Sequence, residues 1–154
     1  MLYRDCEHHV NEESTHFVHL INSNPRFSGT EMYDWTALGM ITEAIGFFGS
    51  KLLCPDRLNP YRDFPDLLSL DNAEREDFFK NNLGIDDLTK IDLAEIIIHQ
   101  QGYSIGDRAF YEYYSGDFSK REAKALMLNR FERNGSATKK LLELRKRFGI
   151  LLPN

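Results

Sequence analysis

The chain has 154 residues, of which 42% are hydrophobic and 28% charged, and its formal net charge is −5. These values are typical of a soluble globular protein of about one domain, and they exclude a chain that is disordered throughout. The two cysteines, Cys6 and Cys54, are far apart in sequence, which argues against a disulfide framework.

Targeting signals are weak in this sequence. The first residues, MLYRDCEHH, have no apolar run behind the single arginine and do not resemble a signal peptide. The most apolar segment, ALGMITEAIGFFGSKLL, contains Glu43 and Lys51, which is more typical of a buried helix than of a membrane span. We therefore expect a cytoplasmic protein with free thiols and no association with a membrane.

Four of the five histidines lie in the segment 6–19. If this segment is helical, Val10, Phe17 and Ile21 share one side and most imidazoles project away from it. That pattern favours a solvated helix face without a cofactor. Two alternatives stay open, a divalent metal site and a pH-sensitive surface, and both use the same residues: His8, Glu12, His16 and His19.

The next segment predicts the centre of the fold. Apolar residues surround a helix over about 30–49 on nearly every side, so we expect the other helices to pack around it. Gly39, Gly46 and Ser50 leave one side small, where a neighbouring backbone can approach. The segment 54–66 follows with three prolines and is the best candidate for a seam between sub-blocks.

Capping patterns predict the remaining helices. DNAE at 71–74 begins a helix that Gly84 ends. DLAE at 92–95 belongs to a helix that we expect to end at Gly102, and a short aromatic helix, DRAFYEYY, follows at 107–114. SKRE at 119–122 begins a helix that stops near Asn134, and Ser136 caps a last helix up to Gly149.

The predicted fold is all-α. We expect a single domain over 1–154, a compact bundle of about six to seven short-to-medium helices around the central helix at about 30–49. The run of isoleucines at 96–98 resembles a strand, but no second strand is available to pair with it, so a buried helix is favoured.

Charge is divided unevenly along the chain, with a balance of −9 over residues 1–88 and +4 over residues 89–154. The two halves either attract each other within one fold or face partners of opposite sign. The acidic residues that we expect to meet a basic partner are Glu74, Glu76, Asp77, Asp86 and Asp87.

The segment 92–127 supports an alternative function, because its order of helix, Gly-x-Ser turn and short aromatic helix resembles a helix-turn-helix. In that interpretation the residues that read base edges are Arg108, Tyr111 and Glu112. Those that contact phosphates are Lys120, Arg121 and Lys124. The gap from Gly102 to Gly116 is longer than a compact helix-turn-helix requires.

No catalytic or cofactor-binding motif occurs in the sequence. We therefore predict a small non-enzymatic interaction protein of a prokaryote or phage, acting as an adaptor, inhibitor, immunity protein or antitoxin. A protein partner is expected, and nucleic acid is the alternative. Homo-oligomerisation stays open as well, because an apolar helix with glycines on one side can pair with its twin.

Overall fold

The computed structural model describes residues 32–86, 90–128 and 136–148. Within these ranges the chain forms five α-helices and no strand, so the all-α prediction is confirmed. The helices are α1 (Met32–Leu53), α2 (Asn72–Leu83), α3 (Lys90–Ser115), α4 (Lys120–Met127) and α5 (Ser136–Arg147). In this part of the chain no helix is both long enough and apolar enough to cross a bilayer. The predicted histidine helix lies outside the described residues.

The predicted count of six to seven helices is not matched among the described residues. The helices expected at 92–102 and 107–114 are one continuous helix, α3, which runs through Gly102 and Gly106. A glycine inside a helix costs about 1 kcal/mol relative to alanine, and packing against another helix can offset that cost. The helix that begins at SKRE also differs, since α4 ends at Met127 rather than near Asn134.

Helix α1 is the centre of the bundle, as predicted, and it packs against both α3 and α5. Between Ala37 and Phe48 most of its apolar residues are buried, because neighbours cover the helix on more than one side. Its buried apolar residues are Ala37, Met40, Ile41, Ala44, Ile45, Phe47 and Phe48. Each large side chain among these contributes about 1.5–3 kcal/mol through burial, so α1 is the main source of hydrophobic stabilisation.

Helices α1 and α3 touch at their backbones. A Cβ atom at Gly102 would lie 2.7 Å from the carbonyl oxygen of Met40, and one at Gly106 would collide with the carbonyl oxygen of Ala44. Both glycines therefore serve as contact points that only a residue without a side chain can occupy. The small residues that permit this approach lie on α3, whereas the sequence had pointed to those of α1.

The contacts between α1 and α3 advance in the same direction along both helices. Gly39 lies against Ile98 near the start of each helix, and Lys51 pairs with Asp107 near their ends. The two helices are therefore parallel. A parallel pair needs a returning connection, which the segment between them, with α2, supplies.

Part of that connection is fastened to the bundle by buried polar groups. Asp66 accepts hydrogen bonds from Gln101 Nε2 at 2.6 Å and from Arg145 Nη2 at 2.8 Å. Gln100 donates to the carbonyl oxygen of Pro65 at 2.8 Å, and the backbone of Leu67 donates to Gln100 at 3.3 Å. The proline-containing loop is thus bonded to α3 and α5 and packs against the bundle, whereas a linker would make few such contacts.

Changing Gly106 to alanine should destabilise the fold by about 1–3 kcal/mol, because the new methyl group has no space between the two backbones. Thermal unfolding followed by circular dichroism measures the effect. Gly39→Ala is the matched control, since its Cβ would make an ordinary 3.4 Å contact with Ile98. Equal unfolding temperatures for the two variants would contradict the close approach of α1 and α3.

Changing Asp66 to asparagine should destabilise the fold by about 1.5–3 kcal/mol, because buried Arg145 would lose its charged hydrogen bond to the Asp66 carboxylate. Urea denaturation gives the free energy of unfolding. Asp63→Asn in the same loop serves as the control: its side chain is 84% exposed and pairs only with neighbouring Arg62 among the described contacts. That change should shift the free energy of unfolding by less than about 0.5 kcal/mol.

Candidate interaction surfaces

Helix α2 begins and ends where the sequence predicts. Asp71 caps its first turn and forms a reciprocal capping box with Glu74, and Gly84 ends it in the left-handed conformation at φ 65°. These caps satisfy backbone groups that a short helix otherwise leaves to solvent. The helix is therefore well defined although it has few contacts with the core.

One side of α2 holds it to the bundle. Phe79 is buried, and Phe78 packs edge-to-face on Phe64 with ring centroids 5.1 Å apart. Arg75 donates to the carbonyl oxygens of Leu67 and Leu68 at 2.7 and 3.3 Å. Nine of the twelve residues of α2 are exposed, so most of the helix surface faces solvent.

Four of the five acidic residues predicted to bind a partner lie on α2 and just after it. Glu74 is occupied by the capping box, whereas Glu76, Asp77 and Asp86 are exposed. Asp87 lies outside the described residues. The structure therefore places four of the predicted carboxylates on an exposed stretch of chain, and three of them lie outside the capping box.

Two apolar side chains accompany these carboxylates. Leu83 is 41% exposed at the end of α2, and Ile85 is 36% exposed just after Gly84. We call these residues together the acidic surface: Glu76, Asp77, Leu83, Ile85 and Asp86. Protein-binding surfaces commonly have an apolar centre and a polar rim, and Leu83 and Ile85 could form the centre here.

A groove lies between α4 and α5, and no pattern in the sequence predicts it. It encloses about 260 Å³. Its apolar floor consists of Phe118, Leu126, Leu144 and Phe148, and its polar lining consists of Glu122, Lys140, Glu143 and Arg147. The amphipathic pattern of each helix could be recognised in the sequence, but the space between two such helices depends on how they pack.

Both carboxylates of the groove have partners. Glu122 accepts hydrogen bonds from the backbone N–H and the hydroxyl of Ser119, each at 2.7 Å. These bonds, with a smaller contribution from nearby Arg147, lower the pKa of Glu122 below its ordinary value. Glu143 pairs with Lys140 at 3.6 Å.

The prediction of a turn between Gly102 and Gly106 is wrong, because α3 is continuous over these residues. The separate recognition helix of a helix-turn-helix is therefore not formed. Arg108 lies 3.4 Å from Glu112, and Arg147 approaches the same carboxylate at 3.2 Å. Tyr111 is exposed on α3 and lies beneath the Lys51 ammonium at 4.5 Å.

The predicted phosphate contacts are accessible. Lys120, Arg121 and Lys124 are exposed on α4, a different helix from Arg108 and Tyr111. DNA binding itself stays a prediction, without the helix-turn-helix geometry that had motivated it.

Lys51 is a buried charge, and its ion pair is not predicted by any pattern in the sequence. Its ammonium donates to Asp107 at 2.7 Å and lies 4.9 Å from the centre of the Phe110 ring. The carboxylate and the aromatic ring both attract the ammonium group. Lys51 therefore contributes a structural link between α1 and α3.

The residues of the metal and pH alternatives, His8, Glu12, His16 and His19, lie outside the described residues. Within the described ranges, no group of three histidine, cysteine or acidic residues could hold a metal ion. His99 contacts the carbonyl oxygen of Glu95 at 2.8 Å and lies 3.8 Å from Glu43.

Comparison with known proteins gives no relative for this chain: no protein-family model, curated protein or solved structure matches it.

Removing the hydroxyl of Ser119 should raise the pKa of Glu122 towards its ordinary value, because the carboxylate loses one of its donors. With the pKa lowered, the carboxylate stabilises the start of α4 above the ordinary carboxyl range, and this contribution disappears as the pH falls through the lowered pKa. A titration of the Glu122 side chain by NMR in Ser119→Ala measures the change. Ser115→Ala is the control, because the Ser115 hydroxyl donates to the carbonyl oxygen of Glu112 and to the Asp117 carboxylate rather than to Glu122. In this variant the titration of Glu122 should match that of the unmodified protein.

Proposed function

We propose that this protein is a non-enzymatic interaction protein that binds a basic partner protein through the acidic surface. The observation that carries the proposal is the exposure of α2. This helix is capped at both ends and held by one side, and its carboxylates face solvent beside two exposed apolar side chains. An adaptor, inhibitor, immunity protein or antitoxin would use such a surface.

Electrostatics supports a basic partner. Arg75, the arginine of α2, directs its guanidinium to the carbonyl oxygens of the loop, so it does little to neutralise the outward face. Lys80 is the other cation of this helix, and it is exposed among more numerous carboxylates. A surface with one sign of charge accelerates the association of a partner with the opposite charge and disfavours partners with the same charge.

The exposed apolar residues of the acidic surface can add binding free energy that charge alone does not provide. Leu83 lies seven residues after Glu76, two turns further along the same side of α2, and Ile85 comes just after the helix, so a partner that neutralises Glu76 can also cover them. Burial of apolar area stabilises a complex after the charged groups have guided it. A partner with lysines or arginines around an apolar patch is the best fit.

Reversing the charge of Asp77 to lysine should weaken partner binding by about tenfold at low salt, mainly through a slower association rate. The partner is first identified by crosslinking in the native host, and its association and dissociation rates are then measured by biolayer interferometry. Adding salt should reduce the difference between the variant and the unmodified protein, because ions screen surface charges.

Glu95→Lys is the matched control, since Glu95 is exposed on α3 and the change in net charge is the same. It should leave the affinity nearly unchanged. Equal losses in the two variants would mean that only net charge matters and would contradict the assignment of the acidic surface. Discovery of a chemical turnover by the purified protein would contradict the non-enzymatic role.

A further inference from the structure

The groove between α4 and α5 differs in character from the acidic surface. Its floor is made by residues that are themselves well buried: Phe118, Leu126, Leu144 and Phe148. Phe118 and Phe148 pack edge-to-face with ring centroids 5.5 Å apart, which fixes the shape of the floor. The groove is therefore a preformed apolar depression of about 260 Å³.

The carboxylates of this groove are paired with groups of the same chain, whereas several cations beside it are exposed. The carboxylates of Glu122 and Glu143 are engaged by Ser119 and Lys140, as described above. Three exposed cations stand beside the groove, and within the described part of the chain no ion pair or hydrogen bond of their side chains is found: Arg121, Lys139 and Lys146.

Helical spacing places these cations on the two rims. Arg121 precedes Ala125, which lines the groove, by four residues, so both lie on the same side of α4. Lys139 and Lys146 lie four residues before and three residues after Glu143 on α5. The rims therefore present unneutralised positive charge on both sides of an apolar floor.

We propose that this groove is a second docking surface, which binds an acidic segment of a partner protein through an apolar side chain. The apolar side chain enters the groove between the two helices. Carboxylates on either side of it pair with Arg121 on one rim and with Lys139 and Lys146 on the other. The protein would then carry two docking surfaces, as an adaptor between two proteins requires, and the two would differ in the sign of their charge.

Nucleic acid fits this groove less well than an acidic peptide. The carboxylates of Glu122 and Glu143 line it, so the groove offers no continuous path of positive charge for a phosphate backbone. Single-stranded nucleic acid also needs aromatic faces on which bases stack, whereas the Phe118 and Phe148 rings are 6% and 4% exposed. A flexible peptide can place its carboxylates on the rims and keep them away from the lining.

The test uses the full chain and a fluorescein-labelled, glutamate-rich peptide with a central Leu-Phe pair, and fluorescence anisotropy reports binding. The unmodified protein should bind the peptide at low salt and lose affinity as salt is added. A peptide with the Leu-Phe pair replaced by Ser-Ser should bind roughly tenfold more weakly, because the apolar contact is lost.

Two kinds of variant distinguish the contribution of the rim charges to peptide binding from that of the apolar groove. Lys139→Glu with Lys146→Glu should weaken binding roughly tenfold or more, whereas Arg62→Glu with Lys80→Glu, at exposed positions outside α4 and α5, should not. Ala125→Trp should block the groove without changing the charge, and Ala94→Trp, at an exposed position of α3, is its control. Circular dichroism verifies that each variant is folded.

Three results would overturn the proposal. The first is no binding at low salt, or binding that none of the groove variants changes. The second is tighter binding of a single-stranded oligonucleotide that the same variants abolish, which would assign the groove to nucleic acid. The third is a dimer in sedimentation velocity that Ala125→Trp dissociates, which would assign it to a second copy. None of these variants changes a residue of the acidic surface, and only the control Lys80→Glu lies on the same helix, so the proposed function is tested separately.

Discussion

The backbone contact between α1 and α3 is the constraint on which the rest of the structure depends. Gly102 and Gly106 let α3 lie directly against the carbonyl oxygens of α1, and any side chain at either position would push the helices apart. This contact also aligns the two helices in parallel and brings Lys51 to Asp107. Because Lys51 is buried, the ion pair is stable only while the helices keep this register.

The parallel alignment explains why α2 is exposed. The chain must return from the end of α1 to the start of α3, and the connection lies outside the packed pair. Asp66 ties the loop to α3 and α5, so the fold already holds the connection before α2 begins. Helix α2 is therefore anchored by one side alone, through Arg75, Phe78 and Phe79, and its remaining face is available for contact.

The division of charge in the sequence has two consequences in the structure. One carboxylate of the acidic half, Asp66, pairs with buried Arg145 of the basic half, so the halves do attract each other within the fold. On the described helices much of the remaining charge is exposed, with carboxylates on α2 and cations on α4 and α5. A fold that places these helices apart creates two surfaces of opposite sign.

Local signals in the sequence determined the helical class, the central position of α1 and the start of each capped helix, because capping and amphipathic spacing act over only a few residues. The caps at Asp71 and Ser119 and the stop at Gly84 are examples. Only the tertiary structure decided that Gly102 is a packing contact inside one long helix, since a glycine favours a turn until a neighbouring backbone covers it. The ion pair of Asp66 with Arg145 and the groove between α4 and α5 likewise join residues distant in sequence. Their formation depends on how the helices pack, which no local pattern specifies.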